Sequence, residues 1–435
     1  MHRAIQIVLW LATGLVLATI AWWWLIFDPD RFRQPLQEKV LELTGYSLEV
    51  SEPLSVTLIP RPRLVMKGLS FGDPMDTQAL ITLDRMEATF KWFPDVGFLE
   101  QLVLIKPGLN LKIDPEGASN WSRLIDRLIQ VNPKYQRPGD IQALVLSTLA
   151  LLLQDSRVEQ ATIRWHDNYR GQQFEVEDLN ITTGRLLPHG NASLTLAGQL
   201  KPWPDRQPVP VSLVAHAGLN ADDLEVDALY INVDEGSIRG NLKILDISTR
   251  QVTGLNIALA DLSLDPWQHP ELVPHRLLGE INGAIEIETY GLTPTDRIAN
   301  LSGTLDLKLD NARLTGVDLN QLFLTVPVDL HTRELKTDLS EVCSAIILDQ
   351  GIASSNTLIA RSQGFSLTGS GRADISKQTL QYRGSVALQP DSRSDLTEEA
   401  LSFPISVRGY WQSPRIDIDY RKFLAARGRA AQLVD

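Results

Sequence analysis

The sequence predicts a mainly β protein with a few helices, in which an N-terminal transmembrane helix precedes an elongated antiparallel sheet. Two observations predict this architecture. The 24 residues from Ala4 to Phe27 carry no formal charge, and most of the chain after residue 156 alternates apolar with polar residues. A period of two is typical of strands that are buried on one face. Turn-forming Gly, Asn and Asp recur at intervals of roughly 8 to 12 residues, as they do between antiparallel strands.

The uncharged segment is long enough to cross a bilayer as a helix. At about 1.5 Å per residue it measures about 36 Å, against a hydrocarbon core about 30 Å thick. Trp22, Trp23 and Trp24 lie near its far end, and Trp prefers the membrane interface. A cleaved signal peptide is the alternative, but its apolar region is usually about 7 to 15 residues long and ends at a small-residue cleavage site. We therefore expect an uncleaved single-pass anchor at residues 1–27, with the N-terminus inside and the rest of the chain outside.

Composition excludes several classes of function. The chain has 435 residues and a formal net charge of -12, which argues against nucleic acid and against a broadly anionic membrane surface as partners. Cys343 is the only cysteine, so neither an intrachain disulfide nor a cysteine-based metal site is expected. No cofactor is expected either.

Changes of pattern divide the chain after the anchor. A short amphipathic helix leads into strands, and a helical segment interrupts them before they resume. Within that segment, Ile141 to Leu153 is mostly apolar but too short to span a bilayer, which predicts a buried or an interfacial helix. We favour a buried helix, because such a segment commonly packs on a sheet. The expected parts are an N-terminal α+β region (28–120), a helical insertion (121–155), a central antiparallel sheet (156–330), a C-terminal β region (331–419) and a C-terminal basic helix (420–435).

The basic residues of the last segment allow two interpretations. Arg421, Lys422, Arg427 and Arg429 lie within 9 residues of each other. Cations at the C-terminal end of a helix complement its macrodipole and need no partner. The same charges could instead contact anionic headgroups or an acidic partner.

The strands share a division into an aliphatic and a polar face. Their apolar positions are mostly Leu, Ile, Val and Ala, and the alternating positions are mostly Asp, Lys, Ser, Thr and Asn. In one interpretation, the aliphatic faces pack on each other in a sandwich or closed barrel. In the other, a long twisted sheet curls into a trough whose aliphatic face lines a path for hydrocarbon. Alternation identifies the apolar face but not what covers it, so the pattern alone favours the commoner sandwich or barrel.

No catalytic constellation is found in the sequence. The seven histidines are scattered, and motifs for zinc proteases, P-loops, nucleophile elbows and dinucleotide binding do not occur. His166 and Asp167 resemble a base with an acidic partner, but neighbours in a strand point to opposite faces. The sequence therefore predicts no catalytic residue and no metal site, and the protein is not expected to be an enzyme.

Several strand-and-turn segments follow the expected N-terminal span and continue almost to the end of the chain. The segments are DPDRFR (28–33), TGYSL (44–48), PGLNL (107–111), PEGASNW (115–121), VEQATIRW (158–165), VEDLNI (176–181), GFSLTGSGRADI (364–375), LSFPISVRG (401–409) and SPRI (413–416). In this order, after a single N-terminal span, they resemble the AsmA family of bacterial envelope proteins.

This resemblance implies a protein anchored in the bacterial inner membrane with its body in the periplasm. It implies an elongated, curled sheet with a repeating β-groove, similar to bridge-like lipid transfer proteins, which shelters phospholipid acyl chains between the envelope membranes. The resemblance thus reverses the preference for a sandwich or barrel. The groove positions expected on this basis are Leu111, Ile257, Leu259, Ile285, Ile287, Leu305, Leu307, Leu309, Phe365 and Leu367.

The family resemblance also leaves an alternative and a constraint. Family members are linked to outer-membrane protein assembly, so the alternative function is a scaffold or regulator of that assembly and targeting, without lipid transport. About 20 strands at about 4.7 Å each would form a groove about 95 Å long. That is short for a periplasm, so we expect an outer-membrane or periplasmic protein partner, or self-association.

Overall fold

The computed structural model describes residues 29–91, 99–131, 155–169, 171–185, 191–220, 222–268, 276–319, 335–389, 402–411 and 413–431. The predicted anchor, with Trp22, Trp23 and Trp24, lies outside these residues, and so does the apolar segment from Ile141 to Leu153. Within the described ranges, the helices are all too short or too polar to cross a bilayer.

Twenty strands form one sheet. Their bounds are β1 (Ser47–Val50), β2 (Ser55–Thr57), β3 (Arg63–Gly72), β4 (Ile81–Phe90), β5 (Leu99–Ile113), β6 (Arg157–Asp167), β7 (Gln172–Thr183), β8 (Asn191–Lys201), β9 (Val209–Asn220), β10 (Asp223–Val233), β11 (Gly236–Leu245), β12 (Val252–Ser263), β13 (Leu277–Tyr290), β14 (Ser302–Thr315), β15 (Lys336–Asp349), β16 (Ile352–Ser362), β17 (Phe365–Asp374), β18 (Thr379–Leu388), β19 (Ser402–Tyr410) and β20 (Arg415–Ile418).

The described helices are short. They are α1 (Arg33–Thr44), α2 (Ser122–Val131), α3 (Pro294–Ala299) and α4 (Tyr420–Ala431), with 3-10 turns at Pro29–Phe32 and Asp265–Trp267. Gly45 ends α1 in a left-handed conformation with φ 73°, and its N–H donates to the carbonyl of Leu41, as is common at helix C-termini. Thr293 and Asp296 form a reciprocal capping box at the start of α3.

The sheet follows chain order from one end to the other. β1 and β2 both pair with β3, at opposite ends of it, and from β3 to β20 each strand pairs with the next. In the described residues β20 pairs only with β19, so the sheet is open at both ends. The sandwich or barrel favoured by the alternation alone is therefore wrong for this part of the chain. The reason is that consecutive strands extend one layer, and the ladder between β20 and β1 that would close a barrel is not among its pairings.

One pair departs from the predicted antiparallel pattern. β5 and β6 run parallel, which makes the sheet mixed. A parallel pair needs a crossover connection of a dozen or more residues, and the chain between Ile113 and Arg157, which includes α2, provides one. The connection that contains α2 is therefore the crossover between β5 and β6, which the sequence pattern did not reveal.

The sheet is somewhat shorter than expected. Because β1 and β2 lie end to end on β3, they occupy a single position, and 18 spacings of about 4.8 Å give a length of about 86 Å.

Bulges occur in five of the strands. Each has a residue other than glycine with a positive φ between 49° and 54° at or next to a register shift of the ladder, namely Gln160, Asp178, Ala228, Asp261 and Asn311. At two of them a side-chain amide on the next strand accepts the bulge N–H, Asn180 for Gln160 at 3.1 Å and Asn282 for Asp261 at 2.9 Å. A bulge increases the local twist and bends its strand, so these residues shape the long sheet.

The side chain of Asn120 holds the segment after β5 against that strand by hydrogen bonds. Its side-chain oxygen accepts the N–H of Lys112 at 3.0 Å, and its amide donates to the carbonyl of Asn110 at 2.9 Å. Its own carbonyl accepts the hydroxyl of Tyr46 at 2.8 Å, which ties the connection to the N-terminal end of the sheet.

We expect Asn120→Ala to destabilise this end by about 1–2 kcal/mol, because two side-chain hydrogen bonds are lost and their partners stay in place. Hydrogen exchange at the backbone amides of β5 measures the effect. Asn256→Ala, at an exposed strand position, is the control and should change exchange little. Equal effects of the two substitutions would contradict the role assigned to Asn120.

Candidate functional site

A continuous row of apolar residues crosses the first two-thirds of the sheet. Residues directly opposite each other on neighbouring strands point to the same face, so the register alone identifies the row. The row comprises Met66, Met86, Leu104, Val158, Ile181, Leu196, Leu213, Ile231, Ile238, Leu259, Gly283 and Leu307, one from each strand from β3 to β14. No charged or hydrogen-bonding side chain interrupts it.

A second row carries the apolar face to the other end. It overlaps the first on β12 to β14 and consists of Leu262, Ile281, Leu309, Val342, Ala360, Leu367, Val386 and Phe403. Together the two rows reach from β3 to β19. We call the surface that contains them the apolar face.

All ten positions expected from the sequence lie on the apolar face. Leu259, Leu307, Leu309 and Leu367 belong to the two rows. The other six lie beside them as cross-strand partners, in the pairs Ile257 with Ile285, Ile285 with Leu305, Leu255 with Ile287, Phe365 with Leu388, and Leu111 with Trp165.

Side-chain exposure alternates along β14, as expected for a strand that is buried on one face. Leu305 and Leu307 are half-buried, whereas Thr304, Asp306 and Lys308 on the opposite face are exposed. Leu309 and Phe365 are buried. The apolar face is thus only partly shielded along most of its length in the described residues.

Described helices contact the sheet at its ends and at the ends of strands. α1 contacts β1, α3 contacts β13, and α4 contacts β18 and β19. Phe423 of α4 lies edge-on against Phe403, with ring centroids 5.1 Å apart, in a cluster that also contains Phe365, Val386 and Leu388. α4 therefore covers one corner of the apolar face at its C-terminal end.

The apolar face contains two adjoining hollows between β13 and β19. One has a volume of about 190 Å³ and is lined mainly by aliphatic side chains such as Ile281 and Val342. The other, of about 260 Å³, has Gly369 and Gly384 in its lining, and these two glycines are opposite each other on β17 and β18. Leu358 lines both hollows, so they are neighbours.

Sequence reasoning missed these glycines, although a signal was present. In GFSLTGSGRADI, Gly369 follows Phe365 and Leu367 in the same phase of the alternation. It therefore occupies an apolar-face position without a side chain, and the absence of Cβ atoms deepens the face at that point.

A hollow larger than these two lies on the opposite, polar face. It has a volume of about 600 Å³ and is lined by Asn241, Asn256, Glu286, Lys243 and other mostly polar residues. The three side chains Asn241, Asn256 and Glu286 form a cross-strand series there, and the hollow is open to solvent.

The described residues contain no cluster of three or more His, Cys, Asp or Glu side chains that could hold a metal ion. His166 is exposed while Asp167 is buried, so the two adjacent side chains have different surroundings. Burial, together with the carboxylate of Glu341, raises the pKa of the Cys343 thiol, which makes it a poorer nucleophile.

The model of the AsmA family matches residues 1–206 and 211–358 of the chain. The chain belongs to the AsmA family. The resemblance noted in the sequence is thereby confirmed. The AsmA match includes the whole first apolar row and reaches Leu358 in β16, and the sheet continues without a break through four further strands. No curated protein matches the chain in a sequence comparison.

Proposed function

We propose that this AsmA family protein shelters phospholipid acyl chains on its apolar face and transfers phospholipid between the membranes of a bacterial envelope. In this proposal residues 1–27 anchor it in the inner membrane and the sheet lies in the periplasm. The unbroken apolar row from Met66 to Leu307 carries the proposal, because it offers hydrocarbon a path across twelve strands without a polar side chain.

The energetics of lipid in water explain why such a path would be useful. Each methylene group exposed to water costs about 0.8 kcal/mol, so a free phospholipid crosses an aqueous space very rarely. An aliphatic face removes much of this cost along its whole length. The headgroup would stay in solvent, so the path would discriminate little between headgroups.

The length of the sheet indicates that the protein would need a partner to connect two membranes. At about 86 Å, it would reach the second membrane with the help of a partner protein in the periplasm or outer membrane, or of a second copy. AsmA family membership supports an envelope function of this kind.

A site-specific photocrosslinker tests the proposal in cells. With p-benzoylphenylalanine in place of Ile285, on the apolar face, we expect phospholipid adducts, which mass spectrometry identifies. The same probe in place of the adjacent Glu286, on the polar face, should capture little lipid. Protein adducts without lipid at position 285 would instead support a scaffold for outer-membrane protein assembly, and equal lipid labelling at both positions would contradict a one-sided path.

A further inference from the structure

Exposed apolar side chains are concentrated at the C-terminal end of the sheet. Six large ones lie within 15 residues, from the end of β19 through β20 into α4, and they are Tyr410, Trp411, Ile416, Ile418, Tyr420 and Leu424. Three of the six are Trp or Tyr, the residue types that prefer the interface between water and lipid.

These residues lie at the end of the sheet's long axis. β20 is the last strand of the described sheet, and its other edge is unpaired there. Ile416 and Ile418 are the partners of Val407 and Ile405, so they carry the apolar face to this edge. We call Tyr410, Trp411, β20 and the exposed side of α4 the terminal edge.

The terminal edge is basic in an acidic protein. Residues 402–431 contain six Lys or Arg against two Asp, whereas the whole chain has 41 Lys and Arg against 53 Asp and Glu. Arg408 and Arg415 share the carboxylate of Asp417, at 2.9 and 3.0 Å. The charge of the edge is therefore opposite to that of the chain as a whole.

The helix macrodipole does not explain where the charges of α4 lie. Arg421 and Lys422 are the second and third residues of the helix, at the positive end of its dipole, where cations are unfavourable. Only Arg429 lies in the last turn. The interpretation that the basic residues of this segment complement the helix macrodipole is therefore wrong for Arg421 and Lys422, whose side chains are exposed.

We propose that the terminal edge is a docking surface for an anionic phospholipid bilayer. Basic side chains provide charge complementarity to the headgroups, and the exposed Trp and Tyr side chains match the interfacial region. A bilayer offers a continuous surface of this chemistry to Trp411, β20 and the first turn of α4. Docking would place the end of the apolar face against lipid.

Vesicle binding by the full chain tests this inference. The protein is held in neutral phosphatidylcholine nanodiscs and mixed with vesicles of phosphatidylcholine alone or with added phosphatidylglycerol. We expect binding to the anionic vesicles that decreases with salt, and little binding to the neutral ones. The double substitution Arg421→Glu and Lys422→Glu should weaken binding about tenfold or more, since each basic residue near an anionic surface contributes roughly a factor of five.

The reversal variant should keep its fold, because acidic residues in the first turn suit the helix dipole. Its matched control is Arg239→Glu with Arg383→Glu, two exposed positions on the polar face. A second pair compares Trp411→Ser with Trp267→Ser, since these side chains are 39% and 47% exposed, and only the first should weaken binding.

Three results would overturn the docking surface. They are no binding by the native chain, equal binding to neutral and anionic vesicles, and equal losses in the reversal variant and its control. These outcomes are independent of the crosslinking at position 285, so docking and lipid sheltering can fail separately.

Discussion

Leu307→Asp is expected to block the passage of phospholipid along the apolar face. Leu307 ends the first apolar row, and its cross-strand partners are Gly283 and Ser344. A carboxylate there would have to be desolvated whenever an acyl chain passed. That costs at least about 3 kcal/mol, which corresponds to roughly a hundredfold decrease in rate.

Photocrosslinking on both sides of the substitution measures the block. When phospholipid enters from the inner-membrane end, a photocrosslinker in place of Ile231 on β10 should still be labelled with lipid. A photocrosslinker in place of Leu367 on β17 should show lipid labelling close to background. Thr304→Asp is the matched control, since it introduces the same residue on the exposed face of the same strand. Unchanged labelling at Leu367 in Leu307→Asp would show that the apolar face is not the path.

Phe423→Ala is expected to release helix α4 from the sheet. Phe423 is 9% exposed and packs against Phe403, which is fully buried at 0%. Truncating a buried Phe costs about 3–5 kcal/mol, and a 12-residue helix is marginal in water without tertiary contacts. The substitution should therefore unfold or undock α4 while the sheet persists.

Hydrogen exchange at the amides of α4 detects the release. In Phe423→Ala these amides should exchange at nearly unfolded rates, and Val386 and Leu388 beneath the helix should become exposed. Leu424→Ala is the matched control, because this neighbour in the same helix is 47% exposed, and it should change exchange by less than about 0.5 kcal/mol. Full protection of α4 in Phe423→Ala would contradict its role as the anchor of the helix.

The strands and the face to which each side chain belongs were predictable because they are local properties. Leu305, Leu307 and Leu309 alternate with polar neighbours, and a period of two assigns such residues to one face whatever the strand pairs with. The order of the strands was largely predictable as well, because short connections favour pairing between neighbours in the chain.

Properties that depend on pairing between distant residues could not be derived in this way. The second row joins Leu309 to Val342 and Ala360 to Leu367 only through the register, and bulges such as that at Asp261 shift the register within a strand. The parallel pairing of β5 with β6 depends on a crossover of more than 40 residues, for which alternation contains no signal.

Composition and spacing along the chain were enough to predict a mainly β protein with one aliphatic face and an uncharged N-terminal segment. The resemblance to the AsmA family came from the order of the strand-and-turn segments and was confirmed by the family match. The folded chain was needed to show that the aliphatic faces form one open sheet rather than a sandwich, that α4 covers its C-terminal corner, and that Arg421 and Lys422 lie at the unfavourable end of that helix. What covers a surface depends on contacts between residues far apart in the chain, and local periodicity does not record such contacts.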